Sequence, residues 1–208
     1  DTRVPLVDGT SATLEEMARR ADSGELFFGY SIANGRVIVS LLDAPRCVGR
    51  DALREIELDN GDVVAATADH DFMLRDGRML QAASLRPGQS LMPLYRDLLR
   101  GYEAVYQPVN GDLEPTHRLA DEWIVRNGIS TPELTTDGHH IDPSPREHGA
   151  AVPDALARLA ADLTWMKESP ERGHAPLRNH KVVAVRELPG DHDVYCLTVP
   201  EAGNFALE

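Results

Sequence analysis

Asp62-Val63-Val64-Ala65-Ala66-Thr67-Ala68-Asp69-His70-Asp71-Phe72-Met73-Leu74-Arg75-Asp76-Gly77-Arg78 is the stretch whose reading decides the fold. Val63 to Ala66 is a short apolar run and Asp76-Gly77 is a hairpin signal, so the segment predicts strand, turn and strand. Thr67 and His70, three positions apart between these strands, put a hydroxyl and an imidazole at one strand end. That is a place to polarise a carbonyl.

Upstream of this block the pattern is also β. Leu26 to Ile32 and Arg36 to Leu42 predict two strands joined at Ala33-Asn34-Gly35, and Arg54 to Leu58 predicts a separate alternating strand that turns at Asp59-Asn60-Gly61. Before them, Asp1 to Gly9 reads as a short strand closed by an Asp-Gly turn. Ser11 or Thr13 then caps a helix with Glu15 and Glu16 in its first turn and Arg19 and Arg20 in a later one, matching the helix dipole. Downstream, Met79 to Tyr95 contains Leu85-Arg86-Pro87-Gly88, where proline fixes φ before a glycine free to take positive φ.

Composition limits what these motifs can mean. The 208 residues, 42% of them hydrophobic, suffice for one moderate domain or a small domain with an insertion. No run approaches the ~20 apolar residues of a membrane helix, and no basic, apolar leader opens the sequence. A cytoplasmic monomer without membrane contact is expected. Cys47 and Cys196 are too few for a secreted disulfide scaffold and read as reduced thiols, Cys47 as a core residue on a strand. A net charge of −13 disfavours a general polyanion-binding surface.

From Arg96 to about Ala175 the strand pattern gives way to prolines, histidines and helical periodicity, which predicts an inserted region. Thr116 to Gly128 reads as a helix stopped by Asn127-Gly128, and Ala150 to Lys167 as another. The β pattern returns at the end, with His180 to Leu188, a turn at Pro189-Gly190-Asp191, Asp193 to Val199, and a turn into Asn204-Phe205-Ala206.

The Thr67…His70 block, its following Leu85-Arg86-Pro87-Gly88 turn and the late Val194-Tyr195-Cys196-Leu197-Thr198-Val199…Asn204-Phe205-Ala206 block resemble, in that order, the motif blocks of phage-type inteins and related Hint domains. The resemblance implies a mainly β, horseshoe-like Hint fold from residues 1–95 and 176–208, bracketing an α-rich insertion over 96–175. It implies self-catalysed protein splicing: an acyl shift or internal thiol attack, transfer to a downstream nucleophile, asparagine cyclisation, and relaxation to an amide. The partner is the covalently attached flanking host protein, the exteins. By the same resemblance His70 protonates the leaving amide nitrogen and Thr67 helps hold the scissile carbonyl. Cys196 is the initiating thiol in one intein class, a proton-transfer partner in most others, or a plain core thiol. Phe72 stands where the thiol-initiated class has tryptophan, and Gly203 where the late block often has histidine. The terminal nucleophile and the closing His-Asn lie beyond both ends of the sequence. A Hint domain that cleaves without ligating is one alternative, and a non-catalytic or metal-binding β domain in which Thr67 and His70 are structural is another. Such splicing needs no cofactor.

Within the insertion, Thr116 to Gly128 followed by Asp137-Gly138-His139-His140-Ile141-Asp142 resembles the HNH homing endonucleases carried inside inteins. The resemblance implies His139 as metal ligand, His140 as general base and Asp142 as a supporting acid, with a divalent metal (Mg or Zn) and DNA as partners if the region is active. The sequence departs from that family in having no asparagine from Gly128 to Arg178, and residues 96–175 hold eight basic side chains against fourteen acidic ones. A vestigial or weak nuclease is therefore expected, with an active one as the alternative.

Overall fold

The computed structural model describes residues 2–99, 101–129 and 180–208. His139, His140, Asp142 and the predicted helix from Ala150 to Lys167 lie outside them. The described chain is mainly β, with eleven strands and two α-helices.

Strands β1 (Arg3–Pro5) and β2 (Ser11–Thr13) pair antiparallel and lead into helix α1 (Leu14–Ala21). Of the two predicted caps, Thr13 takes the role. Its hydroxyl accepts from the Glu16 N–H at 3.1 Å and the Glu16 carboxylate accepts from the Thr13 N–H at 2.9 Å, a reciprocal capping box. Strand β3 (Phe27–Ala33) turns at Asn34-Gly35, with φ of 53° and 76°, into β4 (Arg36–Leu58). Two positive φ values are what a tight hairpin turn of this hand requires.

The strand predicted at Arg54 to Leu58 is not separate. It is the far end of β4, which runs unbroken for 23 residues, because Ala44 (φ 48°) and Gly49 (φ 134°) absorb local distortion within the strand. The predicted turn at Pro189-Gly190-Asp191 is likewise a register shift inside one strand, β11 (Val182–Thr198), paired with β4. Strand β5 (Val63–Thr67) adds to the far end of β4. Strands β6 (Asp71–Met73) and β7 (Met79–Gln81) form the hairpin predicted at Asp76-Gly77, followed by a 3-10 turn at Ala82–Ser84.

Two expectations need correction. Cys47 is exposed, not core, because it lies on the part of β4 where only β11 covers one edge and little packs on the faces. The strand pattern also does not end at Arg96. Residues 96–115 contain β8 (Arg96–Leu99), β9 (Tyr102–Tyr106) and β10 (Leu113–Pro115), one antiparallel sheet. Helix α2 (Thr116–Arg126) follows, stopped at Asn127 and Gly128 (φ 69°) as predicted.

This sheet and α2 share a core with the β3–β4 hairpin: Val105, Leu119, Ala120 and Trp123 pack with Val7, Phe28, Tyr30, Val37 and Val39. The Gln107 side chain acts as a peptide surrogate on Val37, accepting from its N–H at 2.8 Å and donating to its carbonyl at 3.1 Å. Arg36 pairs with Glu122 at 2.8 Å and with Glu114. A second cluster, including Ile56, Val64, Phe72, Leu85 and Val182, lies beneath the β5–β7 region. A third gathers Val4, Met17, Phe27, Leu42 and Leu197 around α1. No helix among the described residues is long and apolar enough to cross a membrane.

Candidate active site

The spacing of Thr67 and His70 has a simple geometric cause. The His70 N–H donates to the Thr67 carbonyl at 3.2 Å, so the four residues are one β-turn with Thr67 first and His70 last. Such a turn brings its end residues within ~7 Å of each other. The turn is fixed from outside by the 3-10 turn, where the Ala83 N–H donates to Ala68 O at 2.9 Å and the Ala82 N–H to His70 O at 2.8 Å.

Within the turn, the Asp69 carboxylate accepts a hydrogen bond from the Thr67 hydroxyl, which holds its pKa below the usual carboxylate range. The His70 ring meets the Phe72 ring edge to face, with centroids 5.2 Å apart. His70 has an open edge to solvent, yet the protein packed about its imidazole disfavours the charged form and lowers its pKa. Asp71 and Asp69 oppose that effect less strongly. At neutral pH the ring is therefore neutral, able to accept at one nitrogen and donate at the other.

Thr67, His70 and Cys196 line one cleft of about 640 Å³, so the structure brings the three predicted site residues round a common space. Cys196 reaches it from β11, opposite Arg46 on β4. It is a free, exposed thiol whose Sγ lies 3.4 Å from the Leu197 carbonyl. Because Cys47 pairs across the ladder with Tyr195, the residue beside Cys196, the two thiols face opposite sides of the ribbon. His180 also lines the cleft, its ring 5.8 Å from that of Tyr95, and burial lowers its pKa.

The tail from Gly203 to Glu208 forms another wall. Asn204 locks it to β3: its side chain accepts from the Ile32 N–H at 2.9 Å and donates to the Ile32 carbonyl at 2.9 Å, while its own carbonyl accepts from the Ser31 hydroxyl at 2.7 Å. Farther along, the Ala206 N–H donates to Tyr30 O at 2.8 Å and the Glu208 N–H to Arg3 O at 2.9 Å. The tail therefore runs antiparallel to β1. Just before β1, the Thr2 hydroxyl accepts from the Ala65 N–H at 3.4 Å, two residues before Thr67 on β5.

Sequence reasoning missed three contributors. Asp69 stands inside the quoted block, but nothing in its spacing marks it as the partner of Thr67. Asn204 belongs to the late block, where its packing role has no local signature. His180 falls at the start of a predicted strand and carries no motif. Among the described residues no group of three or more His, Cys, Asp or Glu is placed to hold a metal ion.

A family model described as the intein splicing domain matches residues 4–208. The DNA gyrase B protein of Synechocystis sp. (strain ATCC 27184 / PCC 6803 / Kazusa) is 32% identical over 191 residues, which are 86% of this chain and 17% of that protein. The chain thus spans a small part of that relative's length. Among solved structures, a mutant of an Ssp DnaB mini-intein variant aligns over 100% of this chain and 90% of its own at 15% identity, with a TM-score of 0.53. A DnaB intein from Synechocystis sp. PCC 6803 aligns over 100% and 89% at 13% identity, with a TM-score of 0.52. Identities this low speak for the fold alone, and the family model carries the assignment: the chain belongs to the intein splicing domain family.

Proposed function

We propose that the chain splices itself out of a host protein, with Thr67, His70 and Cys196 as its reacting set. One observation carries this reading. The Thr67–His70 turn, the Cys196 thiol and two neighbouring antiparallel segments, one leading back through Arg3 and Thr2 and one leading on through Glu208, meet at a single cleft. Splicing needs an upstream and a downstream peptide bond side by side, and the adjacency of these two segments supports the reading.

In the proposed reaction a thiol or hydroxyl attacks the upstream carbonyl carbon as its proton passes to the neutral His70 ring; the C–N bond breaks, and His70 gives that proton to the departing nitrogen. The acyl group passes to a downstream nucleophile. An asparagine side-chain amide then attacks its own carbonyl, releasing the intein, and the freed amine converts the joining ester or thioester to an amide. Cys196 is either the first nucleophile or the group that passes a proton between the two junctions. Thr67 already donates to Asp69, so its help to the scissile carbonyl requires its hydroxyl to turn. The exteins are the covalent partners, and the reaction needs no metal.

The same reading makes the element a cytoplasmic monomer of phage type whose insert holds an HNH-like region, vestigial or weak, at His139, His140 and Asp142. Divalent metal and DNA belong to that region alone.

Intact mass spectrometry of the chain between its flanking host peptides, beside His70→Ala and Cys196→Ala, tests the proposal. Ligated flanks and a free intein are expected. If Cys196→Ala stops even the first cleavage, its thiol initiates; if ligation alone slows, it passes protons. Cleavage without any ligated product identifies an autoprocessing Hint domain, and intact precursor in every version under reducing conditions refutes the proposal.

A further inference from the structure

The tail is held from below as well as along its length. Tyr30 is 1% exposed, and its hydroxyl donates to Glu103 Oε1 at 2.5 Å and lies 3.1 Å from Thr116 Oγ1. The other Glu103 oxygen meets Arg96 Nη1 at 3.4 Å, and Arg96 Nη2 meets Glu208 Oε1 at 3.4 Å. Because the Tyr30 carbonyl also accepts the Ala206 N–H, the contacts close a ring: Tyr30, Glu103, Arg96, Glu208, and back through the tail to Tyr30. The remaining Glu208 oxygen lies 3.9 Å from Arg3 Nε, and Arg3 is itself fixed by bonds to the Ser11 hydroxyl at 3.0 Å and the Ser11 carbonyl at 2.5 Å.

We infer that Arg96 is a positioning residue for the downstream splice junction, a role that rests on the splicing reading above. Arg96 lines the cleft, and its guanidinium gives one nitrogen to each of two carboxylates, which a lysine ammonium cannot hold in one fixed geometry. The side chains of Arg96 and Glu103 are 21% and 13% exposed, so this link is less screened than a surface ion pair. Glu103 is bonded to Tyr30 and to Thr116 of α2, so Arg96 transmits the fixed position of the core shared with α2 to the tail at Glu208. Whatever follows Glu208 then leaves the cleft beside Arg3, next to the upstream strand. Displacing it by ~1 Å is enough to cost on the order of 100-fold in a step that needs two groups aligned.

The test is the split between the two cleavages in the full precursor with its host flanks. Upstream cleavage is read by thiol- or hydroxylamine-induced release of the upstream flank, downstream cleavage and ligation by intact mass over time. Arg96→Ala is expected to leave the upstream rate within about twofold while slowing downstream cleavage and ligation roughly 10- to 100-fold, so upstream-cleaved species accumulate. Glu208→Ala, a change at a half-exposed position, is expected to show the same split without threatening the fold. The double variant is expected to add nothing further, and Arg96→Lys to recover part of the loss. The inference is overturned if Arg96→Ala or Glu208→Ala slows both cleavages equally or leaves both unchanged, or if the two losses add. A wild-type precursor that forms no splicing product overturns the splicing reading itself, an outcome distinct from normal splicing of the variants.

Discussion

Trp123→Ala probes whether α2 and its sheet fold as one unit with the β3–β4 hairpin. Trp123 is 4% exposed, meets Phe28 edge to face with centroids 5.0 Å apart, and sits in the cluster that also holds Tyr30, Val39 and Val105. Removing a buried indole from such a site costs about 3–5 kcal/mol, including ~0.5–1.5 kcal/mol for the aromatic pair. Domains of ordinary stability have only about 5–15 kcal/mol in total. At ~2–4 °C per kcal/mol for a chain of this length, a loss near 4 kcal/mol lowers Tm by roughly 8–16 °C. Guanidinium denaturation followed by far-ultraviolet circular dichroism, with calorimetry for Tm, is the assay. A single transition displaced by that amount is expected, because Arg126 also ties α2 to Glu201, in the turn that precedes the tail, at 3.0 Å and to the Val39 carbonyl at 3.0 Å. A loss below about 1 kcal/mol, or a separate early transition with the β signal intact, refutes the shared core.

Asp121 has its carboxyl pKa pushed up to about 6 by burial. The folded state thus favours its protonated form, and stability is lost as pH rises from about 4 through about 6. After discounting for partial exposure, Asp121→Asn should stabilise by about 1 kcal/mol at pH 8 and by nothing at pH 4, read from denaturation midpoints. His70, His117 and His180 are all held below the usual histidine value by burial. The unfolded chain then binds protons that the folded one refuses, so stability is full above pH 6.5 and declines below it. His117→Gln should flatten that decline between pH 7.5 and 5.5, and an unchanged slope would contradict it. In the precursor, His70→Gln should cut upstream cleavage by about 10²–10⁴-fold, measured by time-resolved mass spectrometry. Thr13→Ala should cost about 1 kcal/mol through loss of the cap, with no change in splicing products.

Local turn chemistry was legible in the sequence. Asn34-Gly35, Asp76-Gly77 and Asn127-Gly128 each mark the turn or stop they predict, because a positive φ is demanded at that residue whatever the tertiary setting. Thr67, His70 and Cys196 are singled out by a family resemblance, as parts of two blocks in a fixed order, and in the structure all three line one cleft. Strand length was not legible. Pro189-Gly190-Asp191 reads as a turn, and Arg36 to Leu42 and Arg54 to Leu58 as separate strands, yet the β4–β11 ribbon is continuous because register shifts absorb the irregular residues. Strands β8 to β10 were hidden because Asp97, Glu103 and Glu114 break any simple alternation. Glu103 and Glu114 are accommodated by partners remote in sequence, Tyr30 and Arg36 respectively. The Arg96 link was invisible for the same reason, since no spacing rule connects residues 30, 96, 103 and 208.

Ile32 and Val37 face each other across the β3–β4 hairpin, and each has its outward N–H and carbonyl taken by one side-chain amide, from Asn204 and Gln107 respectively. Both rims of the hairpin tip are thus closed by carboxamides and not by further strands. An open rim of this kind is a template on which another chain can add a strand. A single amide satisfies the pair but offers no repeating ladder for the next chain to extend. Asn204→Ala and Gln107→Ala each uncover one rim, so their consequence reaches beyond stability to edge-to-edge association between newly made copies, a hazard during the interval before the element leaves its host.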